Sequence, residues 1–204
     1  MVKAKKDESA EEKILAAARK VFISKGLAGA RMQDIADEAG INKALLHYYF
    51  RNKEKLFEVI FLESAQKLFP KINFIFDSDL PLFEKIETFT AEYISIILES
   101  PYVPLFVVNE INRDPDMFFD KMVKSGFPKP HKLLAQVEEE IKKGNIKRIH
   151  PLHLLMNMIS MCIFPFMAKP MLSKRLHIND SQFRQLMEER KKEVARFVID
   201  AIKK

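Results

Sequence analysis

Lys43, His47, Tyr48, Tyr49 and Lys53 stand close together in this sequence, and each can grip an anion. Lysine brings charge, while imidazole and phenol bring hydrogen-bond donors. A basic residue and aromatics at this spacing suit an anionic partner. Other side chains with reactive potential are isolated. His150 and His153 have helical i, i+3 spacing, but no carboxylate or cysteine stands near enough in sequence to complete a metal site. Cys162 is the single cysteine and sits in the apolar run MNMISMCIFPF, where a small buried residue is expected. No H-E-x-x-H, G-x-S-x-G or phosphate-binding glycine loop occurs. These residues point to binding rather than catalysis, with no cofactor and no metal.

Something must hold the anion-binding residues on one surface. The stretch Met32 to Phe50 reads MQDIADEAGINKALLHYYF. Apolar spacing predicts one short helix over Met32–Ala39 and another from Asn42, a good N-cap, through Tyr49. A three-residue turn containing Gly40 joins them, which is helix-turn-helix spacing. Ala36 is small where the helices should cross, and Ile35, Ala39, Ile41 and Leu46 supply an interior. A first helix is predicted from a Ser9/Glu12 capping box, through Ile14, Leu15, Ala18, Val21 and Phe22, to Gly26. A fourth runs from Lys53 to Phe69 and should end or kink at Pro70. Ile14, Phe22, Ile35 and Leu46 form the expected headpiece core.

Charge supports this reading. Residues 1–57 hold 12 Lys or Arg against 8 Asp or Glu; the remainder holds 22 against 20. A basic head on a nearly neutral body suits nucleic acid. Lys3, Lys5 and Lys6 form either a DNA-reaching arm or a solvated tail. With 48% hydrophobic and 30% charged residues, the chain reads as globular. No secretory signal or membrane-spanning run is visible, and a lone cysteine fits a reducing compartment, so a cytoplasmic protein is expected.

The run DIADEAGINKALLHYYFRNKEKLF resembles the headpiece of the TetR family of transcription regulators, and the likeness covers Glu12 to Phe57. It implies roles residue by residue. Lys43 and Ala44 open the helix similar to the recognition helix. Leu45 stands where threonine is frequent and can touch a thymine methyl. His47 stands at a usual tyrosine and Tyr49 at a usual histidine, while Tyr48 matches; all three can grip phosphates. Lys53 matches a phosphate-proximal lysine at a helix N-terminus. Arg31 replaces a frequent capping threonine, weakening the cap while adding a charge that can reach a phosphate. Phe50 is expected in the core.

The body should be helical as well, near Leu82–Glu99, Pro104–Arg113, Pro115–Lys124, His131–Lys143, Leu152–Met167 and Asn179–Lys203. The fold class is therefore all-α: a three-helix DNA-binding domain over residues 1–52 and a multi-helix effector-binding and dimerisation domain over 53–204. Of 17 phenylalanines, 14 lie beyond Phe57, and the chain holds 10 methionines. Such surfaces pack cores and also line apolar pockets. Tyr93, Tyr102, Asn109, Glu110 and Asn157 are the polar candidates for a ligand site. The helix Leu152–Met167 is apolar nearly all round, and the last helix carries a broad stripe from Phe183 to Ile202. Both should need a second copy to cover them, giving a homodimer through a four-helix bundle. The family plan implies a repressor that binds a palindromic operator in double-stranded DNA and is released by a small apolar or amphipathic effector. A DNA-binding adaptor without an effector fits the same headpiece.

Overall fold

The computed structural model describes the backbone of residues 2–204 and side chains from Ala10 onward. The side chains of Lys3, Lys5, Lys6 and Ser9 lie outside the described residues. The first helix, α1, spans Val2–Gly29. It begins ahead of Ser9, because the Lys, Ala and Glu residues upstream are good helix formers and contain no breaker. At Gly26 the backbone leaves helical geometry (φ 67, ψ 171), so the expected break there is present inside the span.

Next come α2 (Met32–Ala39), α3 (Lys43–Tyr49) and α4 (Lys53–Asp77). Asn42 caps α3 by accepting the Leu45 N–H at 2.7 Å, and Asn52 caps α4 by accepting the Lys55 N–H at 2.8 Å. α4 does not end at Pro70. It continues two turns to Asp77, with Pro70 on its exposed side. Proline removes one hydrogen bond, but burial of Ile72, Ile75 and Phe76 holds the helix beyond it. Two lysines also grip its carboxyl end. Lys85 donates to the Phe76 and Ser78 carbonyls at 3.2 and 3.0 Å, and Lys132 donates to the Asp77 carbonyl at 2.7 Å. Cations suit that pole of the helix dipole. Lys85 is 1% exposed, and burial, aided by the neighbouring Lys132 charge, pushes its pKa below the usual lysine range.

The body continues with α5 (Leu82–Glu99), α6 (Val103–Arg113), α7 (Pro115–Lys124) and α8 (His131–Lys142), and then α9 (Pro151–Met167), α10 (Lys169–Leu176) and α11 (Asp180–Ile202). α10 has no counterpart in the sequence reading. None of its residues is buried, so KPMLSKRL carries no amphipathic signal to betray it. Lys147 N–H donates to the Ile202 carbonyl at 2.7 Å, tying the chain end to the approach to α9.

Two apolar cores result. One joins α1–α3 to the first half of α4 and to Tyr102, Phe106, Phe118 and Met122 of the α6–α7 region. Ile14, Phe22, Ile35 and Leu46 are all at most 1% exposed within it. The second packs the end of α4 with α5, α8, α9 and α11. The headpiece core therefore does not stop at residue 52; it runs through α4 into the body.

Candidate nucleic-acid interface and effector cavity

α2 leaves through Gly40 in left-handed geometry (φ 65, ψ 34), and the Ile41 N–H returns to the Ala36 carbonyl at 3.0 Å. Arg31 precedes α2 and offers no side-chain cap. Asp34 instead accepts the Arg31 N–H at 3.1 Å. Its carboxyl is held below the usual range mainly by hydrogen bonding to Lys25. Ile35, Ala36 and Leu46 close the turn from inside, each fully buried. α3 is thereby locked with one face out. Lys43, Ala44, Leu45, His47 and Tyr48 are exposed, Tyr48 at 82%, while Phe50 is buried as expected. Tyr49 is half-buried and meets the Tyr48 ring edge-on at 5.5 Å. The His47 ring contacts the Arg51 carbonyl at 3.2 Å through Nδ1.

Lys53 has a different environment. Its ammonium donates to the carbonyls of Leu27, Ala28 and Ala30 at 2.9, 3.3 and 3.2 Å. It thus bridges the start of α4 to the end of α1. A DNA phosphate would have to compete with three acceptors already in place.

Behind the headpiece lies a cavity of about 130 Å³ between α4, α5, α6, α7 and α9. Its walls are almost wholly apolar, with Phe61, Phe69, Ile97, Val107, Phe118 and Met122 among them. Its polar side chains are Ser64, Tyr93 and Ser100. Phe61 and Phe118 also belong to a chain of ring contacts reaching α1. Phe118 meets Phe61 at 6.1 Å, Phe61 meets Phe106 at 5.1 Å, Phe106 meets Phe57 at 4.4 Å and Phe57 meets Phe22 at 4.9 Å. A neighbouring cleft shares the walls Phe61, Phe118 and Met122 but is charged. There Glu58 accepts from Lys121 at 2.6 Å and Lys55 at 2.9 Å, and the hydrogen bond from Lys121 leads in holding its carboxyl below the usual range.

On the far side, α9 and α11 expose Leu152, Met156, Phe164, Leu186 and Phe197, the last at 63%. The other half of the α11 stripe, Phe183, Met187, Val194, Val198 and Ile202, is buried within the chain's own core. No single described helix is long and apolar enough to cross a membrane.

The headpiece matches the family model of bacterial regulatory proteins, tetR family, over residues 14–60. Over that stretch the chain carries a TetR-type DNA-binding headpiece. It is 41% identical over 56 residues to the HTH-type transcriptional repressor NicS of Pseudomonas putida, a match spanning 28% of this chain and 26% of that protein. To the HTH-type transcriptional repressor KstR2 of Mycolicibacterium smegmatis it is 31% identical over 78 residues, 38% of each chain. These alignments thus cover between a quarter and two-fifths of those two curated relatives. The fold likeness is wider: a solved HlyIIR mutant protein superposes with a TM-score of 0.64 at 24% identity, covering 97% of both chains. The all-α plan of a TetR headpiece on a helical body holds throughout.

Of the expected DNA-binding residues, Arg31, Lys43, Ala44, Leu45, His47 and Tyr48 are exposed and Tyr49 is half-buried. The expected ligand residues do not gather. Only Tyr93 lines the apolar cavity. Tyr102 is buried beside it among Phe22 and Phe57, next to Ser100. Glu110 lines the charged cleft, paired with Arg113 at 2.6 Å. Asn109 and Asn157 are exposed on α6 and α9. Polarity inside an apolar run marked them, but on a helix the odd residue in such a run commonly faces water. Ser64 and Ser100, which do line the cavity, had no such contrast to reveal them.

Proposed function

We propose that this chain is a homodimeric transcriptional repressor, binding a palindromic DNA operator through α3 and released by a small, largely apolar molecule in the cavity between α4 and α7. The observation that carries the reading is the outer face of α3. Lys43, His47 and Tyr48 project from a helix whose opposite face, Leu46, is locked into the core. A fold that exposes a cation, an imidazole and a phenol at 82% exposure on one short helix is suited to a polyanion. Lys43 and Ala44, at the N-terminal end, would face base edges; His47, Tyr48 and Tyr49 would hold phosphates, with Arg31 alongside.

Dimerisation follows from the unsatisfied half of α9 and α11. Burying a leucine or phenylalanine contributes about 1.5–3 kcal/mol, and a two-fold axis uses each position twice. Two joined headpieces gain affinity through effective concentration. Release would act through α4. It carries the cavity wall at Phe61 and Phe69, the ring chain at Phe57 and the headpiece brace at Lys53. A ligand shifts the headpieces only by its differential affinity for the two arrangements, and operator DNA must then weaken the ligand by the same factor.

The test is a selection of duplexes from genomic fragments. Tight, strongly salt-dependent binding to a roughly palindromic site is the expected result; weak, sequence-blind binding would remove the reading.

A further inference from the structure

The cavity between α4 and α7 has a chemistry of its own. Not one of its lining residues carries a charge at neutral pH. The cations of the neighbouring cleft, which shares the walls Phe61, Phe118 and Met122, are taken: Lys121 and Lys55 by Glu58, Arg113 by Glu110. A carboxylate, phosphate or ammonium entering the cavity would lose its hydration and find no counter-charge, a penalty nothing on the walls repays.

The polar groups have defined vacancies. Ser64 Oγ donates to the Ile60 carbonyl at 3.0 Å, so its proton is committed. In its 3.3 Å contact with Ser100 it must then accept, so Ser100 Oγ can only accept further, from the neighbouring Tyr102 hydroxyl or from a ligand. Tyr93 is held by its ring, stacked on Phe89 at 5.1 Å. It is enclosed by protein yet keeps accessible surface, as a ring does when a cavity lies against it. Burial pushes its phenol well above the usual range, so it stays a neutral donor. Tyr93, Ile96, Ile97 and Ser100 follow i, i+3, i+4, i+7 spacing, one stripe of α5 about 10 Å long at 1.5 Å per residue.

We infer that the ligand is an uncharged, elongated molecule lying along this stripe of α5, apolar for most of its length, with a hydroxyl or carbonyl oxygen that accepts from Tyr93 or a hydroxyl that donates to Ser100. This rests on the effector-cavity reading and narrows it. Medium-chain alcohols and ketones qualify; fatty acids, acyl phosphates and alkylammonium ions do not.

Hexanol, hexanoate and hexylammonium, short enough for a cavity of about 130 Å³, form a matched set of probes for the full chain at neutral pH, read by calorimetry and thermal shift. Hexanol is expected to bind at least tenfold more tightly than either ion. Tyr93→Phe and Ser100→Ala each remove one polar end; at least one should weaken hexanol several-fold. Val107→Phe, which fills the cavity from α6, should abolish binding, with Ala65→Phe as a second filling variant should the first fail to fold. Hexanoate or hexylammonium binding as well as hexanol, and lost in the filled variant, would overturn the uncharged class and leave the cavity reading intact. Hexanol binding that survives both filling variants would overturn the cavity reading itself. No binding of any probe overturns the medium-chain assignment.

Discussion

Lys43 and Lys53 look alike in the sequence, and their surroundings separate them. Lys43 stands on the exposed face of α3, while Lys53 is spent on three carbonyls at the end of α1. Lys43→Ala is expected to erode discrimination between operator variants by about 1–3 kcal/mol, the range for a good base contact. Titrations against a panel of single-base operator changes would measure it; a uniform loss across the panel would place Lys43 on the backbone. Lys53→Met should act differently. It removes the brace between α1 and α4, lowering thermal stability and operator affinity, while the dependence of affinity on salt keeps its slope. A slope reduced by about one unit would mean that the ammonium neutralises a phosphate after all.

Among the elements, α4 bears most of the connections. Its start holds α1, its second turn is tied to α7 by Lys121 and Glu58, and its end is gripped from α5 and α8. The Glu58 carboxyl is stabilised in its charged form, chiefly by Lys121. A group with a depressed folded-state pKa contributes stability above its unfolded value, about 4.3 for glutamate, and loses it as pH falls through the folded value. The α4–α7 contact should therefore loosen in that acid range. Glu58→Gln should show less acid-dependent loss in hydrogen exchange at α7 than the parent; identical profiles would mean that the pair contributes nothing. Pro70 offers a second test on the same helix. It is exposed and inside the helix, where proline costs up to about 3 kcal/mol against alanine. Pro70→Ala should raise the unfolding free energy by about 1–3 kcal/mol in a denaturant titration, and a loss would show that α4 needs a bend there.

The scale of the whole molecule is set by the outer face of α9 and α11. Phe197 and Val194 both belong to the apolar stripe of α11, yet Phe197 is 63% exposed and Val194 is 3% exposed. Phe197→Glu should split the dimer and leave a folded monomer: sedimentation falls to one chain, helical circular dichroism persists and operator binding collapses. Val194→Glu should instead damage the fold of each chain, because it buries an unpaired charge. A parent protein that sediments as a monomer at micromolar concentration, or a Phe197→Glu dimer, would remove the assignment. The same distinction separates two uses of apolar surface that hydrophobic patterning by itself treats alike.

Local rules were enough for the headpiece. α2 and α3 occupy the residues that periodicity predicts, because Gly40, Asn42 and the Ile35–Leu46 interior act within a few residues of one another. Helix starts at Pro115 and His131 and the span Leu82–Glu99 were legible for the same reason. Tertiary structure decided the rest. The continuation of α4 past Pro70 depends on burial against α5 and on Lys85 and Lys132, which lie far along the chain. α10 has no buried face to announce it. The cavity arises where five helices meet, so no single helix could mark Ser64 and Ser100 as its lining or set Asn109 and Asn157 outside it. Nor could Lys53 show from its position whether it faced a phosphate or the end of α1, since that acceptor set is built by residues 23 to 26 positions earlier.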